Sequence, residues 1–122
     1  MYKTHLEMKS EEIEINDKEF EVDIADKVID HFIGMRGRKE GKMLFDFGKP
    51  RNPRIDMFLV RTHLYLYFVN SDKKVVEKKL AQPWTWDPRT WCFYSSDQDY
   101  RYLLESSTEL DLEKGEKLEF QL

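Results

Sequence analysis

The sequence predicts a mainly β fold, namely a compact antiparallel β-barrel or sandwich of short strands with one short amphipathic helix. Three observations predict it: apolar residues alternate with polar ones over most of the chain, turn-forming residues separate the alternating runs, and helical spacing is confined to residues 26–34. The chain has 122 residues, of which 40% are hydrophobic, and this is enough to build one core. We therefore expect a single domain over residues 1–122.

A hairpin and the helix form the first part of this prediction. Acidic and apolar side chains alternate in residues 12–15 and 19–24, which predicts two half-buried strands around a turn at 16–18. Apolar residues then recur at helical spacing after Asp26, a suitable N-cap, and glycines follow that can end a helix. We expect a helix at about 26–34 with its apolar stripe facing the core.

The remaining strands are predicted from β-branched and aromatic residues. Residues 43–47 predict a short strand and 50–53 a turn, because proline lacks the N–H that a β ladder needs. Further strands are predicted at 55–60, 63–69, 75–80, 91–94, 100–105 and 117–122. Residues 70–73 should form the turn of a central hairpin, and 110–115 one helical turn. Both alternating sets of 63–69 are apolar or aromatic, so both faces of this strand should be covered.

The net charge of −4 is distributed unevenly along the chain. Residues 1–23 and 97–122 each carry three basic against eight acidic residues, whereas residues 36–54 carry seven basic against two. This basic segment is a candidate anion-facing surface. The candidate side chains are Arg36, Arg38, Lys39, Lys42, Arg51 and Arg54. The alternative is that they lie on solvated loops and balance the acidic ends within the folded molecule.

Several classes of enzyme and metal site lack their usual sequence signals. The chain has no glycine-rich phosphate loop, dinucleotide fingerprint or serine-hydrolase motif. Its histidines, His5, His31 and His63, lack the close spacing that helps to build zinc sites. Asp97 and Asp99 begin like a calcium loop, but tyrosine and threonine stand where that loop needs glycine and glutamate. We therefore assign no catalytic residue, no metal site and no cofactor.

The single cysteine, Cys92, excludes an internal disulfide. It lies between two aromatic residues without a basic neighbour, so we expect a buried and unreactive thiol. The longest uncharged run, residues 62–71, is about half the roughly 20 residues that a membrane helix needs, and no signal peptide is recognisable. These features predict a cytoplasmic protein without membrane contact.

The stretch 82–91 has the most unusual composition, with three tryptophans within eight residues and two prolines that restrict its backbone. One interpretation is a structural lid that packs indole rings over an open end of the barrel. The other is a binding surface, in which Trp84 and Trp86 stack on a planar or sugar-like ligand or on a partner chain. Arg61, His63 and Arg89 are candidates for the polar groups of such a site.

Several motifs resemble those of a known family in their order and spacing. They are Phe20-Glu-Val-Asp-Ile-Ala-Asp26, Gly41-Lys-Met-Leu-Phe45-Asp-Phe47, Leu66-Tyr-Phe68-Val-Asn-Ser-Asp72, Lys79-Leu-Ala-Gln-Pro83-Trp84, Tyr100-Arg-Tyr-Leu-Leu-Glu105 and Gly115-Glu-Lys-Leu118. Over about residues 19–122 the chain is similar to the family called domain of unknown function 192, and most similar to its archaeal-type members. The resemblance implies a compact β-barrel or sandwich with one helix and no established biochemical role.

One segment departs from the pattern of that family. Many relatives carry Met-Lys-Asn-Thr on the first strand of the central hairpin and Pro-Leu-Asp shortly after it. This chain instead has Met57-Phe-Leu-Val60 and His63-Leu-Tyr65. A site that these polar residues form elsewhere in the family would be altered or lost here, which weakens any enzyme assignment by analogy.

The sequence leaves three functions open. We favour a small non-catalytic binding or accessory module that uses the loop 82–91 to bind a small polar ligand or a protein partner. The first alternative is an enzyme on a small polar or sugar-like substrate, with His63 as acid or base and Arg61 or Arg101 holding an anion. The second is nucleic-acid binding through residues 36–54, although the known nucleic-acid motifs are absent.

Overall fold

The structure, a computed structural model, describes residues 9–15, 18–25 and 40–120. Its strands are β1 (Lys9–Ile15), β2 (Lys18–Ala25), β3 (Lys42–Arg51), β4 (Leu64–Val69), β5 (Val75–Ala81) and β6 (Tyr100–Ser106). They form one sheet in the order β1-β2-β3-β6-β4-β5. Neighbouring strands are antiparallel except β2 and β3, which pair in parallel. The predicted mainly β, mainly antiparallel fold is confirmed.

The sheet is open rather than closed. β1 and β5 lie at its two edges, and across the described residues these strands do not pair with each other. Lys78 and Lys79 place charge on the β5 edge, which disfavours further strand pairing there. Of the two predicted arrangements, barrel and sandwich, the closed barrel does not form, and the structure is an open sheet that loops cover on both faces.

The predicted helix at 26–34 lies outside the described residues. In the part of the chain that the structure does describe, the helical element is the short 3₁₀ turn Pro88–Thr90. No helix found there is long and apolar enough to cross a membrane.

Alternation along β4 directs its side chains into two separate clusters. Tyr67 and Val69 pack on one face of the sheet, while Leu64, Leu66 and Phe68 pack on the other, and all five are almost fully buried. Because a core cluster packs against each set of side chains, neither face of β4 is left to solvent. The predicted coverage of both faces of this strand is confirmed.

Different parts of the chain cover the two faces. The first, which we call the C-terminal face, packs against Leu110, Leu112, Leu118 and Phe120. The second, the loop face, packs against Met57, Val60, Trp84 and Tyr94 from the segments that precede β4 and follow β5. The tryptophan-rich loop therefore lies on the loop face, against a fully formed core.

The central hairpin turn also forms where the sequence predicts it. The Lys73 N–H donates to the Asn70 carbonyl (2.9 Å), and the Asn70 side-chain oxygen accepts from the N–H groups of Asp72 and Lys74. Asparagine commonly stabilises turns by such local hydrogen bonds.

The turn predicted at 50–53 is wrong at its first two residues, because β3 continues through Pro50 to Arg51. The β3–β6 register shifts between Asp46 and Arg51, and Gly48 in that interval has φ 81°. Since the ladder is interrupted there, the N–H that proline lacks is not required. Proline, which usually marks the end of a strand, is therefore tolerated within β3.

Two predicted strands on the loop face, 55–60 and 91–94, are loops joined by one isolated bridge. Ile55 and Tyr94 exchange two backbone hydrogen bonds (2.7 and 2.8 Å). After Ile55 the chain turns back, with the Val60 N–H donating to the Met57 carbonyl (3.2 Å). Apolar residues here mark loops that pack on a sheet rather than strands within it.

The C-terminal segment is likewise irregular. The predicted strand at 117–122 is reduced, within the described residues, to isolated bridge positions at Lys117, which pairs with Lys74, and at Glu119. In place of the helical turn predicted at 110–115, the chain makes a turn in which the Glu116 N–H donates to the Glu113 carbonyl (3.1 Å). Gly115 adopts φ 95° in this turn, which explains the glycine.

Candidate functional site

The loop after β5 is held by its own hydrogen bonds. Asp87 caps the 3₁₀ turn by accepting the Arg89 N–H (3.0 Å), and Pro88 begins that turn. The Thr90 hydroxyl accepts the Thr85 N–H (2.7 Å) and donates to the Asp87 carbonyl (2.7 Å). These contacts fix the two halves of the loop against each other and so position its tryptophans.

Trp84 connects this loop to the core. Its indole Nε1–H donates to the Cys92 carbonyl (2.8 Å). Its ring stacks beside Trp91 with centroids 6.2 Å apart and meets Phe93 edge to face at 5.3 Å. Because Trp84 also packs on the buried residues of the loop face, it supports the aromatic surface from below.

A surface groove of about 480 Å³ opens above Trp84. We call it the aromatic groove; it is lined by Phe58, Leu59, Trp84, Thr85, Trp86 and Trp91. Its walls come from two loops, the tryptophan-rich loop and the turn 57–60. Trp86 is 98% exposed, Leu59 61% and Phe58 54%, so the groove presents apolar surface to solvent. Such a concave apolar site is typical of a ligand or partner contact.

Leu59 at the tip of the turn 57–60 has a left-handed backbone, with φ 62°. This conformation suits glycine or asparagine and is unfavourable for leucine by about 1 kcal/mol. The turn is stabilised by the Asp56 carboxylate, which accepts the Phe58 N–H (2.9 Å). The local structure therefore holds a large apolar side chain in an unfavourable backbone conformation at the groove.

The polar groups that line the groove are mostly engaged within the loop. The Trp91 indole N–H donates to the Thr85 carbonyl (2.8 Å), and the Thr85 hydroxyl contacts the Thr90 hydroxyl (3.2 Å) and accepts the Asp87 N–H (3.1 Å). Among the described residues, the Trp86 indole N–H has no hydrogen-bond partner. The groove thus offers aromatic faces and few free hydrogen-bonding groups.

Arginines lie around this aromatic surface. The Arg54 guanidinium sits over the Phe93 ring, 4.5 Å from its centroid, and Arg61 is exposed just after the turn 57–60. Arg89 instead binds the Asp87 carboxylate, with Nη2–Oδ2 and Nε–Oδ2 distances of 2.6 and 2.9 Å. That side-chain hydrogen bond lowers the pKa of Asp87, so this carboxylate is ionised and already paired.

The structure brings together some of the residues that the sequence proposes for a ligand site. Trp84 and Trp86 line the groove, and Arg89 lies in the same loop but pairs with Asp87. His63 is exposed at the start of β4 and packs edge to face on Tyr65 (5.6 Å, 89°), outside the lining of the groove.

Sequence reasoning missed Phe58 and Leu59, which form the opposite wall. The segment that contains them was predicted to be a strand, in which neighbouring side chains point to opposite faces. A signal was nevertheless present, because residues 57–60 are four apolar residues in a row, without the alternation of a half-buried strand. In the turn that the chain actually makes, both side chains contribute to one wall.

The candidate anion-facing residues are only partly described. Arg36, Arg38 and Lys39 lie outside the described residues. Lys42 and Arg51 occupy the first and last positions of the ten-residue strand β3, roughly 30 Å apart at the usual rise of a strand. Arg54 lies on Phe93 beside the groove. The described members of this set therefore do not share one compact surface.

The expectation that the Cys92 thiol is buried is wrong, because the thiol is free and exposed. The residue belongs to the surface loop instead of a buried strand, and its Sγ lies 3.7 Å from the Arg89 carbonyl. Asp97 and Asp99 are exposed in their loop. Over residues 40–120 and the described strands before them, no group of three histidine, cysteine or acidic side chains could hold a metal ion.

The fold and the groove define a small mainly β protein with an aromatic surface groove on one face of an open sheet. The family follows from the sequence: the model of domain of unknown function 192, described as an uncharacterized ACR, matches residues 11–120. The chain belongs to this family. Among curated proteins, no sequence matches the chain.

Two solved structures share the fold. One is a protein from Sinorhizobium meliloti, provisionally described as a transcription regulator, with a TM-score of 0.78 and 20% identity over 93% of this chain and 95% of that one. The other is a protein of unknown function from Novosphingobium aromaticivorans, with a TM-score of 0.72 and 17% identity over 92% of this chain and 84% of that one. At these identities the likeness concerns the fold alone.

Proposed function

We propose that this protein is a non-catalytic binding module whose aromatic groove receives an apolar or aromatic group of its ligand. One observation carries the proposal: five of the six large hydrophobic side chains that are exposed in residues 40–120 line the groove or contact Trp84. Exposed apolar residues scattered singly are ordinary, whereas a concave cluster of them marks an interaction site.

The energetics of the turn 57–60 support the same proposal. The left-handed backbone of Leu59 is unfavourable by about 1 kcal/mol. Because its side chain is mostly exposed, burial of apolar surface offsets little of this cost. Asparagine at this position would relieve the strain. Unfavourable backbone conformations that persist in a fold are often functional, and here the retained side chain is one wall of the groove.

The alternative of an enzyme has less support. The groove lining contains no acid, base or nucleophile of the usual kinds, since threonine is its one hydroxyl residue and that hydroxyl is hydrogen-bonded. Arg101, a candidate anion holder, donates from Nε to Asp46 Oδ1 (3.0 Å) and is already paired. A binding role requires none of these groups.

Nucleic-acid binding remains the second candidate because of Arg54. A guanidinium stacked on an aromatic ring beside exposed tryptophans resembles the surfaces that bind unpaired bases. The Sinorhizobium meliloti neighbour is provisionally described as a transcription regulator, which points in the same direction for that protein. Steep loss of oligonucleotide affinity with added salt would support this candidate.

We also propose a cytoplasmic location. The support is the single cysteine of the chain, whose thiol is free and exposed, as is common in a reducing compartment.

An aromatic fragment tests the proposed function directly. We expect p-cresol, titrated into labelled protein, to shift the NMR signals of the indole N–H groups and of the amides of residues 57–60. A fragment of this size should bind with a dissociation constant on the order of millimolar. Trp86→Ala should weaken binding severalfold, because it removes the most exposed aromatic face.

Leu80→Ala is the matched control. Leu80 is also a large, half-exposed hydrophobic residue, but it lies on β5 and does not line the groove. Its removal should leave p-cresol binding unchanged. Shifts spread evenly over the surface, or equal effects of the two variants, would contradict a binding site at the aromatic groove.

A further inference from the structure

We propose that the occupant of the aromatic groove is an acidic segment of a protein partner. One aromatic or branched aliphatic side chain of that segment enters the groove, and neighbouring carboxylates meet Arg54 and Arg61. This inference rests on the proposed binding function and adds the chemistry of the partner.

The hydrogen-bonding capacity of the groove selects an apolar anchor. The indole N–H groups of Trp84 and Trp91 are both used on backbone carbonyls of their own loop. Thr85 uses its N–H, hydroxyl and carbonyl within that loop as well. A sugar or another polyhydroxylated ligand would lose hydrogen bonds to water without replacing them, which is costly. An aromatic or aliphatic side chain has no such requirement.

Charge around the groove selects acidic neighbours for that anchor. Within residues 40–120, no carboxylate forms a salt bridge with Arg54 or Arg61. Two carboxylates lie nearby in sequence: Asp87 binds Arg89, whereas Asp56 accepts the N–H of Phe58 and keeps its charge. Arg54 and Arg61 outnumber Asp56, so the net charge of residues 54–61 beside the groove is positive and complements carboxylates of a partner.

The residue types favour a protein over other macromolecules. Tryptophan and arginine are the side chains that most often dominate binding energy at protein interfaces. A second copy of this chain in a symmetric dimer would bring like-charged arginine edges together, which opposes association. A nucleic acid would need a basic stripe along its backbone, whereas Lys42 lies at the opposite end of β3 from Arg51.

Selection from a random peptide library displayed on phage tests this inference. Immobilised protein should enrich peptides in which an aromatic or branched aliphatic residue is flanked by aspartate or glutamate. The variant Arg54→Glu/Arg61→Glu should select lysine or arginine flanks around the same kind of anchor. A synthetic peptide from the first selection should bind this variant about tenfold more weakly than the unaltered chain.

A matched double variant controls for net charge. Lys114→Glu/Lys117→Glu makes the same charge change at exposed residues of the C-terminal segment, away from the groove. It should retain the acidic preference of the unaltered chain. The change from acidic to basic flanks should therefore occur only when the arginines beside the groove are replaced, and not when the same charge change is made elsewhere.

Three outcomes would overturn the inference. The first is enrichment without acidic flanks or without reversal in Arg54→Glu/Arg61→Glu. The second is tighter binding of a single-stranded oligo(dT) than of any selected peptide, and the third is a dimer that Trp86→Ala abolishes. Binding of p-cresol at the groove together with any of these results would leave the proposed function standing and remove only the acidic partner.

Discussion

At the scale of the residue, Leu59 shows a conflict between folding and surface chemistry. Its φ of 62° is the conformation in which asparagine and glycine are favourable and leucine is not. The turn therefore holds a large apolar side chain at the groove in a backbone conformation that favours a small or polar residue.

This conflict leads to a prediction for Leu59→Asn. The free energy of unfolding of this variant should be about 0.5–1 kcal/mol higher than that of the unaltered chain, because asparagine relieves the backbone strain. It should also bind p-cresol more weakly, because one apolar wall is lost. Urea denaturation and the NMR titration measure the two effects.

Leu59→Ala separates the two causes. Alanine removes the same wall but gains little from the left-handed backbone, so affinity should fall without the gain in stability. A Leu59→Asn variant less stable than the Leu59→Ala variant would show that strain at this position is not what limits the stability of the turn.

At the scale of the element, the sequence predicted those strands that lie within the sheet. The runs that became β4, β5 and β6 were predicted from their β-branched and aromatic residues and from the turn residues between them. The parallel pairing of β2 with β3 could not be predicted, since alternation gives the faces of a strand but not its neighbour.

The loops of the site were harder to predict for a physical reason. Residues 55–60 and 91–94 are apolar because they pack on the loop face or line the groove, and burial in a loop gives the same composition as burial in a strand. Trp84 and Trp86 were identified because tryptophans between prolines are unusual. Phe58 and Leu59 came from a separate segment, so their place opposite the tryptophans depended on the tertiary fold.

Glu77 links one of these loops to β5 and makes that link dependent on pH. Partial burial opposes its ionisation, but hydrogen bonds from the Asp97 N–H (3.0 Å) and the Ser96 side chain, with the Lys79 ammonium at 3.4 Å, hold the pKa of Glu77 below its usual value. A lowered folded-state pKa stabilises the protein above the unfolded pKa. This stabilisation is lost as the pH falls through the folded value.

We therefore predict that Glu77→Gln lowers the free energy of unfolding near neutral pH by about 1–2 kcal/mol, because charge-assisted hydrogen bonds are lost. At acidic pH, as Glu77 takes up a proton through its lowered folded-state pKa, the difference should become smaller, to about half or less. Urea denaturation at the two pH values measures it. Glu119→Gln, at an exposed glutamate, should have little effect at either pH, and a pH-independent effect of Glu77→Gln would contradict the role of its charge.

At the scale of the whole molecule, the sheet separates two cores, of which one lies beneath the C-terminal segment and the other beneath the aromatic groove. Its C-terminal face is buried under residues 110–120, and its loop face supports the aromatic groove. Strand β4 contributes to both cores, so the faces should unfold together even though different segments cover them.

This arrangement predicts the effect of Leu112→Ala. Leu112 is fully buried on the C-terminal face, so the variant should lose about 2–5 kcal/mol of unfolding free energy in urea denaturation. Its affinity for p-cresol under folding conditions should be unchanged, because the groove lies on the other face. A loss well under about 1 kcal/mol would indicate that the C-terminal segment is not part of the cooperative core.

The placement of the indole rings gives the molecule a built-in optical signal. The three tryptophans of the chain all lie between positions 84 and 91, and all three line the same groove. Trp86 is almost entirely in water, while Trp84 is half-buried against the core. Tryptophan emission from the unlabelled protein therefore originates from this one surface, and its wavelength should move to the blue when an occupant removes water from Trp86.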